Sequence, residues 1–126
     1  MRLTDEQQEA ISRLDENLCV SAGAGTGKTR VLVERFLHLL DKGGALPEHL
    51  AAITFTEAAA AEMKERIRRA CDLRVRQARD RQEREFWQRR RNGLAASYIG
   101  TFHGFCGALI RQYPVQAGVD PHFGIL

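Results

Sequence analysis

The stretch that decides the fold is AGAGTGKT, at residues 22–29. Its three glycines allow backbone conformations closed to other residues, so successive N–H groups can turn inward around an anion. Lys28 can reach the β- and γ-phosphates of a nucleotide, and Thr29 offers a hydroxyl to Mg²⁺. The stretch therefore predicts a phosphate-binding loop, although Ala22 stands where the strict pattern has glycine. The alternative is a glycine turn that binds nothing.

Apolar runs on both sides of this loop predict three strands, at Asn17–Ser21, Leu50–Phe55 and Ser97–Thr101. Helical patterns separate the runs. Strands that alternate with helices form a parallel sheet with helical crossovers, so the predicted fold class is α/β. Ligands of such folds bind at the carboxyl ends of the strands, which is where the glycine-rich stretch lies.

Capping signals predict where the helices begin and end. Thr4–Gln7 has the form of a capping box for a short helix to about Leu14, and Thr56 can cap a helix that begins near Ala58. Asn92-Gly93 ends this helix, or a pair of helices, and a last helix ends before Pro114. The helix after the glycine-rich stretch is expected to bury one face, formed by Leu32, Phe36, Leu39 and Leu40.

Charge is distributed unevenly along the chain. Residues 1–63 carry six basic and ten acidic residues, whereas residues 64–91 carry twelve basic and five acidic ones. A basic stripe of this kind can bind nucleic acid. It can equally be a solvated helix with ion pairs such as Glu65–Arg69 or Asp80–Arg84. Trp87 within it is expected to anchor helix packing rather than to stack on a base.

Cysteine and hydropathy patterns exclude several classes of protein. Cys19, Cys71 and Cys106 lie far apart, so we expect reduced thiols packed in the core, and the four histidines lack zinc-ligand spacing. No apolar run approaches the ~20 residues of a membrane span, and the N-terminus is too polar for a signal peptide. We therefore expect a cytoplasmic protein without a membrane partner.

Four segments in order resemble the N-terminal part of superfamily 1 helicases of the UvrD/RecB type. These segments are Leu3–Gln7, Ala22–Arg30, Thr54–Met63 and Gly100–Gly104. The resemblance implies a RecA-like P-loop NTPase fold and an ATP-dependent DNA helicase or translocase on single-stranded DNA. It also implies 3′-to-5′ movement, DNA repair or recombination as the role, and ATP with Mg²⁺ as cofactors. The alanine at position 22 is common in that family.

The resemblance assigns ATP-binding residues, namely Gln7, Ala22, Gly23, Ala24, Gly25, Thr26, Gly27, Lys28, Thr29 and Arg30. Lys28 and Thr29 would be catalytic, with Thr29 on Mg²⁺. Gln7 would read the adenine edge, which a carboxamide can do because it both donates and accepts; its alternative role is the capping box with Thr4. Arg30 would stack on the adenine, or else is a surface arginine on the first helical turn.

The resemblance also assigns residues that contact single-stranded DNA. Thr54 and Thr56 would bind phosphates, and Phe55 would stack on a base, unless Phe55 is the last core residue of its strand. The second DNA segment is Thr101, Phe102 and His103. For His103 the alternative is a structural histidine.

Two departures from UvrD-type enzymes favour the AddA or RecB branch. Glu57-Ala58 stands where many relatives have Asn-Lys, and the charged insert at about 64–92 is longer. The expected organisation is motor core at about 1–102, including this insert, followed by the start of an accessory subdomain at about 103–126. That branch implies a downstream exonuclease and a second helicase-nuclease subunit resembling AddB or RecC.

The 126 residues contain no apolar strand that ends in Asp or Glu, which P-loop enzymes use to hold Mg²⁺ and position water. We therefore expect an incomplete motor domain, truncated before that strand, which binds ATP but hydrolyses it negligibly on its own. Two other function classes share part of the pattern. A kinase-like P-loop enzyme would not bind DNA, and a non-enzymatic nucleic-acid binding module would not need the nucleotide.

Overall fold

The computed structural model describes residues 2–20, 27–120 and 122. Six α-helices and two β-strands are defined within these ranges, joined in part by 3₁₀ turns at Pro47–His49 and Gly93–Ala96. In chain order the elements are α1 Asp5–Ser12, α2 Lys28–Asp41, β1 Ala51–Thr54, α3 Glu57–Arg76, α4 Arg81–Asn92, β2 Tyr98–Thr101, α5 Phe102–Gln112 and α6 Pro114–Ala117.

Short polar side chains set the starts of the helices. Thr56 caps α3, since its hydroxyl accepts from the amide of Ala59 at 3.1 Å. Asp80 caps α4 by accepting from the amide of Glu83 at 2.8 Å. Thr101 does the same for α5. Each cap satisfies an amide that has no partner within its own helix, so these helix starts are fixed locally.

The two strands are parallel and hydrogen-bonded to each other, with Ala51 opposite Tyr98 and Thr54 opposite Thr101. Helices α3 and α4 make the crossover between them, as parallel strands require. The strands predicted at 50–55 and 97–101 are therefore confirmed with slightly shorter bounds. The α/β class and the helical crossover are confirmed as well.

The strand predicted at Asn17–Ser21 is wrong for residues 17–20, which form no strand. Ser21 lies outside the described residues. Val20 is 59% exposed and Cys19 is exposed as well, so the run is not buried. A strand needs a hydrogen-bonded neighbour, and within the described part of the chain the sheet consists of β1 and β2 only.

Helices α2, α3 and α4 enclose the hydrophobic core. Its buried members are Val33, Phe36, Leu37, Leu40, Met63, Ile67, Cys71, Trp87 and Leu94. Trp87 is 2% exposed, so its predicted role as a packing anchor is confirmed. Phe36 and Leu40 of the predicted α2 face are buried, which confirms this part of the prediction. Leu32 is 50% exposed, because the buried face of the helix is shifted toward Val33 and Leu37.

The basic segment forms two helices joined by a short turn, α3 and α4. The predicted ion pair between Glu65 and Arg69 is present at 2.9 Å. Asp80 was expected to pair with Arg84 but instead caps α4, a position where a carboxylate also favours the positive end of the helix.

The cysteines do not share one environment. Cys71 is buried, whereas Cys19 and Cys106 are exposed, so the expectation that all three are core thiols is wrong for two of them. Among the described residues no cluster of three or more histidines, cysteines or carboxylates could hold a metal ion. None of the helices described is both long and apolar enough to cross a membrane.

Candidate nucleotide and nucleic-acid interface

The start of α2 carries the described end of the glycine-rich stretch. Gly27 precedes the helix with φ 79° and ψ 30°, a left-handed conformation that glycine adopts without a steric penalty. Lys28, which is exposed, and Thr29 are the first residues of the helix. This places an ammonium and a hydroxyl at the positive end of α2, an arrangement suited to an anion. The ATP-binding residues assigned at 22–26 lie outside the described residues.

Gln7 lies beside this helix start. Its carboxamide oxygen accepts from the amide of Thr4 at 2.9 Å, and its own amide donates to the Thr4 hydroxyl at 3.2 Å. The capping box is therefore confirmed. Its side-chain nitrogen is next to the turn as well, since a Cβ added at Gly27 would stand 3.5 Å from it. The adenine role of Gln7 stays a prediction.

An arginine clamp, which the sequence did not reveal, fixes α1 against α2. The guanidinium of Arg35 donates to the carbonyl of Ala10 at 2.7 Å and to that of Arg13 at 2.8 Å. Carbonyls at the end of a helix lack partners within it, so a cation there satisfies two groups at once. The clamp holds Gln7 at a fixed position relative to the start of α2. Arg30, on the first turn of α2, is half-buried.

The carboxyl ends of β1 and β2 bring the two assigned DNA segments together. Thr54 and Thr101 are paired in register, and a helix follows each strand within two residues. We call the residues that follow the strand ends, Phe55, Phe102 and His103, the strand-end edge. Two segments that are 46 residues apart in sequence thus form one surface.

Two aromatic rings stand in solvent at the strand-end edge. Phe55 is 90% exposed and Phe102 is 51% exposed, and their ring centroids lie 5.7 Å apart at 43°. The interpretation of Phe55 as a core residue is therefore wrong. Exposed phenylalanines have no partner that removes them from water, whereas a nucleic-acid base offers a flat apolar face. His103, one residue further, is exposed as well.

The threonine hydroxyls at this edge are used within the protein. Thr54 donates to the carbonyl of Thr56 at 3.1 Å, and the Thr56 hydroxyl caps α3. Thr101 is 8% exposed, caps α5 and donates to a carboxylate oxygen of Glu57 at 3.3 Å. These residues hold the two segments in place. The Glu57–Thr101 contact connects them directly, and sequence patterns gave no signal for it.

Tyr98 is a further residue that the sequence did not single out. Its hydroxyl donates to the carbonyl of Thr101 at 2.8 Å, and its ring lies 5.2 Å from that of Phe105. The side chain fits only because Gly100 has no Cβ, since a Cβ there would approach the Tyr98 oxygen to 2.6 Å. The same oxygen occupies the space that a side chain at Gly104 would need. Gly100 and Gly104 therefore leave the space that the Tyr98 hydroxyl occupies, a role that depends on the three-dimensional packing.

The direction of α2 shows on which side of the sheet its first residue, Lys28, lies. Asp41 at the end of α2 pairs with Arg74 near the end of α3 at 3.7 Å, and the two helices pack along each other. Because α3 starts right after β1, Lys28 at the other end of α2 lies toward the carboxyl ends of the strands. That is the edge where ligands bind to parallel sheets.

Comparison with known proteins identifies the class of domain that this arrangement belongs to. A family model described as UvrD/REP helicase N-terminal domain matches residues 3–126. The chain therefore belongs to the UvrD/REP helicase family, and the resemblance expected from the four sequence segments is confirmed.

Several similar relatives are named as subunits of helicase-nucleases. A protein from Ligilactobacillus salivarius, named as one of the subunits of an ATP-dependent helicase/nuclease, is 41% identical over 125 residues, which cover 99% of this chain and 10% of that protein. Proteins with the same name from Enterococcus faecalis and Syntrophomonas wolfei are 40% and 42% identical over 99% and 97% of this chain, and over 10% of their own length. The chain thus spans about a tenth of the length of these relatives.

Proposed function

We propose that this chain forms the ATP-binding and DNA-gripping part of the first motor domain of a DNA helicase that moves along single-stranded DNA. The observation that carries the proposal is the exposed Phe55–Phe102 pair at the carboxyl ends of two parallel strands. A kinase-like nucleotide-binding protein has no use for two solvated aromatic rings there. Unpaired bases stack on such rings regardless of sequence.

In this proposal the domain has a RecA-like P-loop fold and binds ATP with Mg²⁺ at residues 22–30. Lys28 would contact the β- and γ-phosphates, and Thr29 would hold Mg²⁺. Gln7 and Arg30 would hold the adenine from opposite sides of the loop. The left-handed Gly27 and the exposed Lys28 at the start of α2 support this assignment.

On the DNA side, Phe55 and Phe102 would stack on bases, and His103 would contact the strand beside them. Thr54, Thr56 and Thr101 would shape the backbone that faces the phosphates, since their hydroxyls already hold the two turns. The start of α3 and the start of α5 both lie at this edge, so two positive helix ends face the same strand of DNA.

The remaining assignments follow from the family alone. We propose a motor core at about 1–102 with the insert at about 64–92, followed by the start of an accessory subdomain. The relatives are named as parts of a helicase/nuclease, which supports DNA repair or recombination, a nuclease activity and a second subunit resembling AddB or RecC. We further propose 3′-to-5′ movement and location in the cytoplasm.

The decisive experiment compares two truncations of exposed apolar side chains. Phe55→Ala should weaken binding of a fluorescent oligothymidine about tenfold, because base–aromatic stacking contributes about 1–3 kcal/mol per base. Val115→Ala, at a side chain 84% exposed on α6, is the matched control and should leave the affinity unchanged. Fluorescence anisotropy measures both. Equal affinities for the two variants would exclude the strand-end edge as the DNA site.

The nucleotide half of the proposal is tested separately. Lys28→Ala should abolish binding of a fluorescent ATP analogue to the chain while its affinity for oligothymidine persists. Unchanged nucleotide binding in this variant would contradict the assignment of the phosphate-binding loop. Salt-independent binding of oligothymidine would contradict a DNA site of any kind, because contacts to phosphates release counterions.

A further inference from the structure

The pair of helices α3 and α4 carries a basic surface that the proposed function leaves unused. We call Arg76, Arg79, Arg81 and Arg84 the hairpin surface, since they surround the turn that joins the two helices. All four residues are exposed, and the side chains of Arg79 and Arg81 are each 90% exposed. The question is whether ion pairs within the protein account for these charges.

Between residues 64 and 91, the hairpin formed by α3 and α4 has fewer carboxylates than cations, and all of these carboxylates are engaged in ion pairs or a helix cap. Glu65 and Asp72 bind arginines of α3 and α4, while Glu83 and Glu85 bind Arg79 and Arg81. Asp80 caps α4. Five cations between residues 64 and 91 have no carboxylate partner among the described residues: Lys64, Arg76, Arg84, Arg89 and Arg90. Internal pairing therefore explains only part of the basic stripe.

The aromatic residues of the hairpin are withdrawn from solvent, unlike those at the strand-end edge. The segment contains two, Phe86 and Trp87, which are half-buried and 2% exposed. Cations cover both rings, with the Arg74 guanidinium 5.1 Å from the Trp87 centroid and that of Arg90 4.3 Å from Phe86. This surface therefore offers guanidinium groups for phosphates but no exposed aromatic ring on which an unpaired base could stack.

We infer that the hairpin surface binds the sugar-phosphate backbone of duplex DNA, at a site separate from the strand-end edge. Guanidinium groups bind phosphate through two parallel hydrogen bonds, and Arg76 and Arg84, on either side of the turn, have no carboxylate partner among the described residues that would compete with a phosphate. Double-stranded DNA offers phosphates without exposed base faces, which is the chemistry that the hairpin surface can recognise.

The distance between the strand-end edge and the hairpin surface would allow both to bind one DNA molecule in which a duplex continues into a single strand. Helix α3 begins two residues after Phe55 and ends at Arg76, and its 20 residues span about 30 Å at 1.5 Å per residue. A duplex of about nine base pairs covers this length at ~3.4 Å per pair. The strand-end edge would then hold the unpaired strand while the hairpin surface holds the duplex beside it.

The test uses the 126-residue chain, a blunt duplex of about 20 base pairs and an oligothymidine of the same length, titrated at several salt concentrations. Arg76→Gln/Arg84→Gln should weaken duplex binding about tenfold and reduce the slope of log K against log salt by about 1.8, the value for two phosphates. The affinity for oligothymidine should change by less than about twofold. Arg2→Gln/Arg13→Gln removes the same net charge from residues outside α3 and α4 and should change neither affinity.

Three outcomes would overturn the inference. These are equal losses in both double variants, unchanged duplex affinity in Arg76→Gln/Arg84→Gln, or displacement of the duplex by polyglutamate at equal charge concentration, which would indicate an acidic protein partner. If the double variant does not fold, Arg76→Lys/Arg84→Lys must retain the wild-type salt slope for the inference to stand. Phe55→Ala separates this site from the proposed one, since that variant should lose oligothymidine binding and keep duplex binding.

Discussion

The strand-end edge and the α3–α4 hairpin treat their aromatic residues in opposite ways. At the edge, Phe55 is 90% exposed and its ring lies beside another exposed ring, whereas in the hairpin Trp87 is 2% exposed and lies under the guanidinium of Arg74. Burial of a large aromatic side chain stabilises the fold, and leaving one in water does not. The aromatic residues of the hairpin therefore stabilise the fold, whereas those at the edge contribute little to stability and remain accessible to a ligand.

The two regions also differ in how they use polar groups. At the edge, hydroxyls close local turns and cap helices, so the backbone is rigid while the rings are open. In the hairpin, long charged side chains bridge α3 and α4, as Arg91 does with Asp72 at 2.8 Å. The first arrangement fixes a binding geometry and the second leaves a surplus of positive charge.

Trp87→Ala should lower the free energy of unfolding by about 3–5 kcal/mol, because it opens a cavity in the core between α2, α3 and α4. Phe55→Ala removes an aromatic side chain too but should change stability by less than about 0.5 kcal/mol, since its ring is in solvent. Urea denaturation followed by far-UV circular dichroism gives both values. A large loss for Phe55→Ala would mean that the edge is part of the core, and the contrast would fail.

Gly27→Ala and Gly44→Ala compare the two ends of α2, the first near the strand-end edge and the second near the hairpin. Both glycines have positive φ, at 79° and 66°, so each substitution should cost about 1–2 kcal/mol of stability. Only Gly27→Ala should also weaken nucleotide binding, about tenfold, because it distorts the turn before Lys28. Titration with a fluorescent ATP analogue measures this. A similar loss of affinity in Gly44→Ala would assign the effect to stability alone.

The smallest effect concerns the charges of the hairpin at low pH. Hydrogen bonds from Arg68, at 2.9 Å, and from Arg69 lower the pKa of Glu65 from 4.5 to about 2. A depressed pKa in the folded state gives stability that is present above pH 4.5 and is lost as the pH falls toward 2. Glu65→Gln should therefore show a shallower loss of stability over this window, and Arg68→Gln should do the same. Acid titrations are monitored by circular dichroism. If the curves of both variants superimposed on that of the wild type, the ion pair would not contribute to stability.

The helices could be predicted from the sequence because their signals are local. The capping box at Thr4, the Thr56 cap and the stop at Asn92-Gly93 each involve residues within one turn of each other, and the structure has all three. The strands β1 and β2 were equally clear, as short apolar runs next to helix caps. Local chemistry therefore predicted most of the order of elements.

The errors lie where a residue depends on partners far along the chain. Residues 17–20 have the composition of a strand, but a strand forms only where a neighbour supplies hydrogen bonds. Leu32 fits the helical period, yet the surface that α2 meets selects the row of Val33. Phe55 was ambiguous for the same reason, since the exposure of an aromatic residue is decided by what packs over it.

The candidate site was predictable in outline only. Lys28, Phe55 and Phe102 belong to segments that can be recognised in sequence, and the structure places them on one side of the described fold. Tyr98 and Glu57 could not be found this way, because the first acts by filling the space above Gly100 and the second by a hydrogen bond 44 residues away. Such roles exist only in three dimensions.

The parallel register of Thr54 and Thr101 has a consequence for how the chain acquires this shape. The strands can pair only after the chain between Thr54 and Gly100, which are 46 positions apart, has closed into a loop, a step opposed by chain entropy. Helices α3 and α4 shorten that loop through contacts between sequence neighbours, which form fastest. We therefore expect the hairpin to form early in folding and the strand-end edge to form last, so the exposed aromatic surface depends on the prior folding of the charged one.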